Sequence, residues 1–273
     1  MTLHCLVVDP PRPGLALPGL VDGPLSAESA AELYAASVTD AMVAAARSGG
    51  ELLVNYPTDE QLPETHRTGT SPEAALRDLA EAALEEPAEA RFEVQVGSTF
   101  GARAGNAATH LLAEEDEDSV AILRGTAPTL GRTALDGVAM KLRRHQAVVG
   151  PGTGGRAAYL GLSEPIDFEG TFEPPATDSD GGDGPQGGPG DAGDGHATEV
   201  EDLVGRGVEA GHALAFLPMH PVIEDEAGLA AAVAEIRARR RAGSIVPEHT
   251  AEAVERLGLR VVEADGRRRV VEG

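Results

Sequence analysis

DSVAILRGTAPTLGRTALDGVAMKLRRHQAVVGPGTGGRAAYLGL, residues 118–162, carries three apolar runs separated by two glycine-containing turns and a helical segment. An apolar run from Val120 to Leu123 ends in a turn at Gly125 to Pro128. A helical stretch follows from about Arg132 to Arg144. A second apolar run, Ala147 to Val149, ends in the glycine-rich GPGTGG, and a third begins near Tyr159. Strand, turn, helix, strand is a βαβ crossover, which places the loops Gly125–Gly131 and Gly150–Gly155 at the same edge of a parallel sheet. Ligands of open α/β sheets sit in the crevice beyond the carboxyl ends of the strands, so that edge is where a site is expected.

Outward from this stretch, the chain reads as alternating strands and helices. LHCLVV (3–8) is a short buried strand, and the Pro- and Gly-rich 9–23 after it is a long loop that excludes a helix. Ser26 caps a helix running to Gly49 whose Ala31, Tyr34, Ala35, Val38 and Met42 share one face. Strands are expected at 51–57, at 90–96 near an edge, and at 213–218. Helices are expected at 72–86, within 97–115, at 197–210, at 228–242 and from Pro247. Alternation on both sides of Asp265-Gly266 predicts a hairpin over 259–273. Residues 173–196 are Gly, Asp and Pro with almost no apolar side chains, which predicts a disordered insertion. Its Asp/Gly spacing lacks the register of a calcium loop. The organisation expected is a domain over 1–243 and an extension over 244–273.

Composition narrows the setting. Asp and Glu total 45 against 22 Lys and Arg, a net charge of −23, and Lys141 is the sole lysine. Aromatics are 3% and tryptophan is absent. Acids spread along the chain, with lysine depleted, fit a high-salt cytoplasm, where screening shortens repulsion to roughly 3 Å at 1 M salt. An acidic interaction surface is the competing reading. The charge argues against nucleic acid and anionic membrane as partners. Cys5 is expected to be a buried small hydrophobe. The N-terminus has no signal-peptide pattern, and no apolar run reaches the roughly 18 residues of a membrane span. The expectation is a soluble cytoplasmic protein.

Six local runs, in order, resemble the uncharacterised branch of the GT-A-type transferases, relatives of nucleotidyltransferases such as molybdenum-cofactor guanylyltransferase. PRPGLALPGL (11–20) sits where the family has a Lys-x-Pro-x-Pro-Gly-x-x-Lys-Thr-Arg-Leu loop, and 25–42 resembles the helix after it. QVGSTFGARAGNA (95–107) is similar to a Gln-Gly-Gly-x-Leu-Gly-Glu-Arg helix start. ILRGTAPTL (122–130) resembles Leu-Ile-Gly-Ser-Asp-Ser-Pro-Thr-Leu, and 148–162 resembles the family's Gly-Pro-x-x-Asp-Gly-Gly-Tyr-Tyr run. FLPMHPVIEDEAGL (216–229) resembles Leu-Pro-x-x-x-Asp-Val-Asp-Thr-Pro-Glu-Asp-Leu. The resemblance implies a three-layer α/β/α GT-A sandwich with a mostly parallel sheet, and a nucleotide or nucleotide-sugar ligand with Mg²⁺ or Mn²⁺.

The family's metal-binding carboxylates are largely missing. Its central Asp falls on Ala127, beside Thr126, and the Asp of Asp-Gly-Gly on Thr153. The acids of Asp-Val-Asp fall on Val222 and Glu224, leaving Glu224 as the metal candidate, with Asp9 or Asp225 as neighbours able to help. The loop lysines are absent and Arg12 is the cation left there, while Arg103 stands at the Glu-Arg position. The candidate nucleotide-binding set is therefore Arg12, Gly14, Arg103, Thr126, Gly152, Thr153 and Gly154. Each has a plainer reading beside it: a solvated loop arginine, a tight turn, a turn-stabilising hydroxyl, a surface ion pair. His110, His212 and His220 show no ligand spacing, and 237–242 (RARRRA) is expected to neutralise nearby acids. Two functions follow: a nucleotidyl- or glycosyl-transferase-type protein with a degenerate metal site, or a non-catalytic binding or regulatory module that kept the fold. A dinucleotide oxidoreductase is disfavoured, since Asp-Pro-Pro-Arg-Pro follows the first strand where Gly-x-Gly-x-x-Gly is needed.

Overall fold

The computed structural model describes residues 1–21, 23–168, 198–264 and 266–273. The insertion expected at 173–196 lies outside the described residues. Strands β1 (Thr2–Val7), β2 (Glu51–Tyr56), β3 (Arg91–Val94), β4 (Ser119–Arg124), β5 (Ala147–Pro151), β6 (Ala157–Leu162) and β7 (Leu214–Phe216) form one seven-stranded sheet. Its order is β3-β2-β1-β4-β6-β5-β7, with β3 at an edge as its weaker apolar pattern suggests. Every neighbouring pair is parallel except those of β6, which runs antiparallel to both β4 and β5.

The 118–162 stretch does form the expected crossover: β4 and β5 run the same way, joined by α4 (Arg132–Leu142). The third run then doubles back and inserts between them. Only residues 152–156 join β5 to β6, and a parallel return needs a connection of a dozen or more residues. The short glycine turn therefore dictates the one reversed strand.

Both sheet faces are covered, which is why the strands read as near-continuous apolar runs. Along β1, Leu3, Cys5 and Val7 join one core cluster and Leu6 joins the other. The first cluster includes Ala104, Ala108 and Leu111 of α3 (Phe100–Ala113) and Leu203 of α5 (Glu199–Glu209). The second includes residues of α1 (Ala27–Ala46), α2 (Pro72–Ala83), α4, α6 (Glu226–Arg241) and α7 (Glu248–Arg256). The result is α/β, in three layers, with a C-terminal hairpin of β8 (Arg260–Ala264) and β9 (Arg267–Val271). Ser26, Ser71, Thr99, Thr198 and Asp225 each accept a backbone N–H at a helix start, satisfying donors a helix cannot pair itself.

The C-terminal extension packs into the second cluster through Ala251, Val254, Leu259 and Val270. Asp40 of α1 accepts from the Thr250 N–H (2.7 Å) and hydroxyl (2.6 Å), tying α7 down. Cys5 is fully buried, and Arg239 and Arg240 pair with Glu235 and Glu255. No helix among the described residues is long and apolar enough to cross a membrane.

Candidate functional site

The segments after β1, β4 and β5, together with the 95–103 segment and the 217–225 turn, converge on one rim of the sheet. They enclose a crevice of about 280 Å³ lined by Asp9, the 15–19 loop, Tyr34, Gln95, Phe100, Arg103, Arg124, Gly125, Thr126, Arg156 and Glu224. This is near the lower end of ligand-pocket volumes. A larger groove of about 440 Å³ lies between α1, α4 and α7. Its Arg47, Arg132 and Arg239 are already paired with Glu85, Asp136 and Glu235, and no residue of the sheet strands lines it.

Local chemistry builds the crevice. The chain turns sharply at Gly125, where a Cβ would lie 2.7 Å from Val8 Cγ1. The Ser37 hydroxyl donates to the Gly125 carbonyl at 2.6 Å and fixes that turn against α1. The first loop folds back over the site, close enough that a Cβ on Gly19 would meet the Glu224 carbonyl oxygen at 2.5 Å. Gln95, 1% exposed, donates both amide hydrogens, to the Val8 carbonyl (2.9 Å) and the Asn55 carbonyl (2.8 Å). That fixes the amide orientation, and its Oε1 has no partner among the described residues.

Charge is concentrated on the other wall. Arg124 Nη1 donates to both Glu224 oxygens at 2.7 and 2.8 Å, and its Nη2 reaches Glu199 at 2.8 Å. Its guanidinium lies 4.5 Å from the Phe100 ring centroid, a cation–π contact. Thr126 donates to Glu224 Oε1 at 2.8 Å, and Arg156 Nε approaches Oε2 at 3.1 Å. Arg156 Nη1 donates to Asp225 at 2.6 Å. Burial alone would raise the Glu224 carboxyl, but Arg124, Thr126 and Arg156 outweigh it and hold Glu224 below its ordinary range. Asp9 goes the other way: burial raises it although Arg103 pairs with it at 3.1 Å. Burial and the Asp9 charge likewise push the Tyr34 phenol up.

Of the sequence-predicted residues, Arg103, Thr126 and Glu224 meet in this crevice. Arg12 does not line it. Its buried guanidinium donates to the His66 and Thr70 carbonyls and pairs with Asp59 at 3.4 Å, binding the first loop to the 58–71 loop. Gly14, in the left-handed region at φ 78°, sits against His66 in the same clasp. The Thr153 hydroxyl bridges the Val222 N–H (3.0 Å) and carbonyl (3.2 Å), and Gly152 donates to the Arg156 carbonyl at 2.6 Å. Gly154, at φ 71°, leaves room for Arg156, whose Nη1 would lie 2.8 Å from a Cβ there. These glycines thus hold the β5–β6 turn and Arg156 in place. His220 is buried beside Thr129 and outside the lining.

Arg124, Arg156, Gln95 and Phe100 are site residues the sequence reading passed over. A signal existed for Arg124, an arginine closing a strand whose every other residue is apolar or small. No periodicity marks the others.

The divalent cation implied by the resemblance does not fit these residues. Ala127 is 2% exposed inside the β4 turn, Val222 is fully buried, and the Thr153 hydroxyl is occupied by the 222 backbone. Both Glu224 oxygens are held by guanidinium groups. Among the described residues no group of three or more His, Cys, Asp or Glu is placed to hold a metal ion.

No family model matches the chain, and no curated protein matches it. Among solved structures, a putative nucleotide-diphospho-sugar transferase from Desulfovibrio desulfuricans G20 superposes with a TM-score of 0.66 at 18% identity, over 94% of this chain and 95% of that one. A 4-diphosphocytidyl-2C-methyl-D-erythritol synthase from Anaerococcus prevotii DSM 20548 has a TM-score of 0.35 at 14% identity, covering 56% of each chain. A Mycobacterium sp. strain JC1 homolog of a Mycobacterium tuberculosis protein has 0.41 at 13%, over 86% of this chain and 97% of that one. Reversed β6 between β4 and β5, helices on both faces and the full-length superposition on the Desulfovibrio protein establish that the chain has a GT-A-like, nucleotide-diphospho-sugar-transferase-type fold.

Proposed function

We propose that the chain binds a nucleotide or nucleotide-sugar in the crevice formed by residues 9–19, 95–103, 124–126, Arg156 and Glu224. The supporting observation is the convergence, on the carboxyl-end rim of a GT-A-type sheet, of a polar anchor (Gln95), an aromatic face (Phe100) and three guanidinium groups. Open α/β sheets take ligands at that rim. If group transfer occurs, the chain's contribution is orientation by the loop backbone and stabilisation of phosphate charge by Arg103, Arg124 and Arg156. A non-catalytic binding module is the second reading, and the saturation of Glu224 by arginines favours it.

The test is thermal denaturation at molar KCl, the condition the acidic composition suggests, with nucleoside diphosphates and nucleotide-sugars. Turnover of each nucleotide-sugar is followed in parallel. A stabilising ligand is expected, and Leu15→Trp, which fills the crevice, abolishes its effect. Turnover then assigns the transferase and binding without turnover the module. No stabilisation by any compound, or stabilisation that survives Leu15→Trp, refutes the crevice as the site.

A further inference from the structure

We infer that this crevice takes the diphosphate of its ligand on Arg103 and Arg156, with guanidinium groups in the place of a divalent cation. The inference rests on the nucleotide reading above and names how that site is charged.

A dication on Glu224 would have to share oxygens already bonded by Arg124 and approached by Arg156 at 3.1 Å. The other nearby carboxylates are committed too. Glu199 accepts from Arg124 at 2.8 Å and from the Ala157 N–H at 2.9 Å. Asp225 accepts from Arg156 at 2.6 Å and caps α6 through the Gly228 N–H at 2.8 Å. Asp9 is bonded by Arg103 through Oδ1 at 3.1 Å, and no group of three or more His, Cys, Asp or Glu among the described residues is placed to supply the several oxygen ligands that a hard cation demands.

The guanidiniums, by contrast, have donors to offer. Arg103 uses Nε and Nη1, toward the Gly97 carbonyl and Asp9. Arg156 uses Nε and Nη1, toward Glu224 and Asp225. The Nη2 group of each has no partner among the described residues, and both side chains line the crevice. Arg124 is 8% exposed on its side chain and clamped between two acids, so it acts as the fixed positive floor. Arg156 (27%) pairs with Asp225 (39%) at the wet rim. That pair is the one that can open: Asp225 keeps its helix-cap bond while Arg156 turns to a phosphate, for which the planar fork suits bidentate contact.

The test is calorimetric titration of the full chain with the nucleoside diphosphates of adenine, guanine, cytosine and uracil, once with EDTA and once with excess MnCl₂. At least one is expected to bind, with the same affinity in both buffers. Arg156→Gln and Arg103→Gln each weaken it about tenfold or more, the loss of one charge-assisted hydrogen bond. Unfolding midpoints and circular dichroism confirm that each variant is folded, and either folded variant suffices. Binding that requires manganese overturns this inference and leaves the nucleotide reading standing. Equal affinity in wild type and a folded variant overturns it also. Absence of binding in both buffers overturns both.

Discussion

Replacing Arg124 with methionine keeps the length and removes the charge at the centre of the crevice wall. Removing one partner of a buried ion pair typically costs 3–5 kcal/mol, because the other charge is left unpaired. Here Glu224 and Glu199 retain some help: Arg156 at 3.1 Å and Thr126 at 2.8 Å for the first, the Ala157 N–H at 2.9 Å for the second. Both are also partly solvated, at 28% and 20% side-chain exposure. The low end applies, about 3 kcal/mol, which lowers the melting temperature by roughly 6–12 °C in a chain of this size. Urea unfolding of Arg124→Met, Glu224→Leu and the double variant completes a cycle. The double variant is expected to lose less than the sum of the singles by about 1.5 kcal/mol or more, since it leaves fewer orphaned charges. Acid titration adds a sign. The folded Glu224 carboxyl lies below its ordinary value of 4.5. Its contribution is therefore present above that pH and lost as pH falls below it, and Arg124→Met shrinks that loss. A single variant losing under about 1 kcal/mol, or an additive cycle, would show that the network is not the coupled, desolvated unit described.

Three further perturbations probe the frame. A Cβ at Gly228 would lie 1.8 Å from the Val222 carbonyl oxygen, so Gly228→Ala is expected to cost about 3 kcal/mol by forcing α6 off the 222 turn. Gly205 of α5 has nothing within 4 Å, so Gly205→Ala should instead gain up to about 1 kcal/mol; equal urea midpoints for the two would contradict the packing. His4 is buried, and that burial, opposed by the Asp136 charge, lowers it from 6.5 to about 4. The unfolded chain thus binds the extra proton, so stability is full above pH 6.5 and falls by about 3 kcal/mol as pH drops towards 4. His4→Leu flattens that slope in urea unfolding, and an unchanged slope would refute the assignment.

The sheet's strands, the crossover over 118–162 and the rim where loops meet are legible in the residues alone. Each rests on local chemistry: apolar runs long enough only for strands, Pro and Gly that stop helices, hydroxyl caps that start them. Arg103, Thr126 and Glu224 were reachable through the resemblance of the runs at 95–107, 122–130 and 216–229 to family motifs. That Arg12 faces the 58–71 loop, and that the 152–154 turn shapes Arg156, emerges only once the chain is folded. Arginine is long, and its sequence position does not say which of several carbonyls or carboxylates within reach its guanidinium will meet. The same holds for Glu224. Whether a carboxylate is a metal ligand or the partner of two arginines depends on residues about 70 and 100 positions away, brought beside it by the strand order.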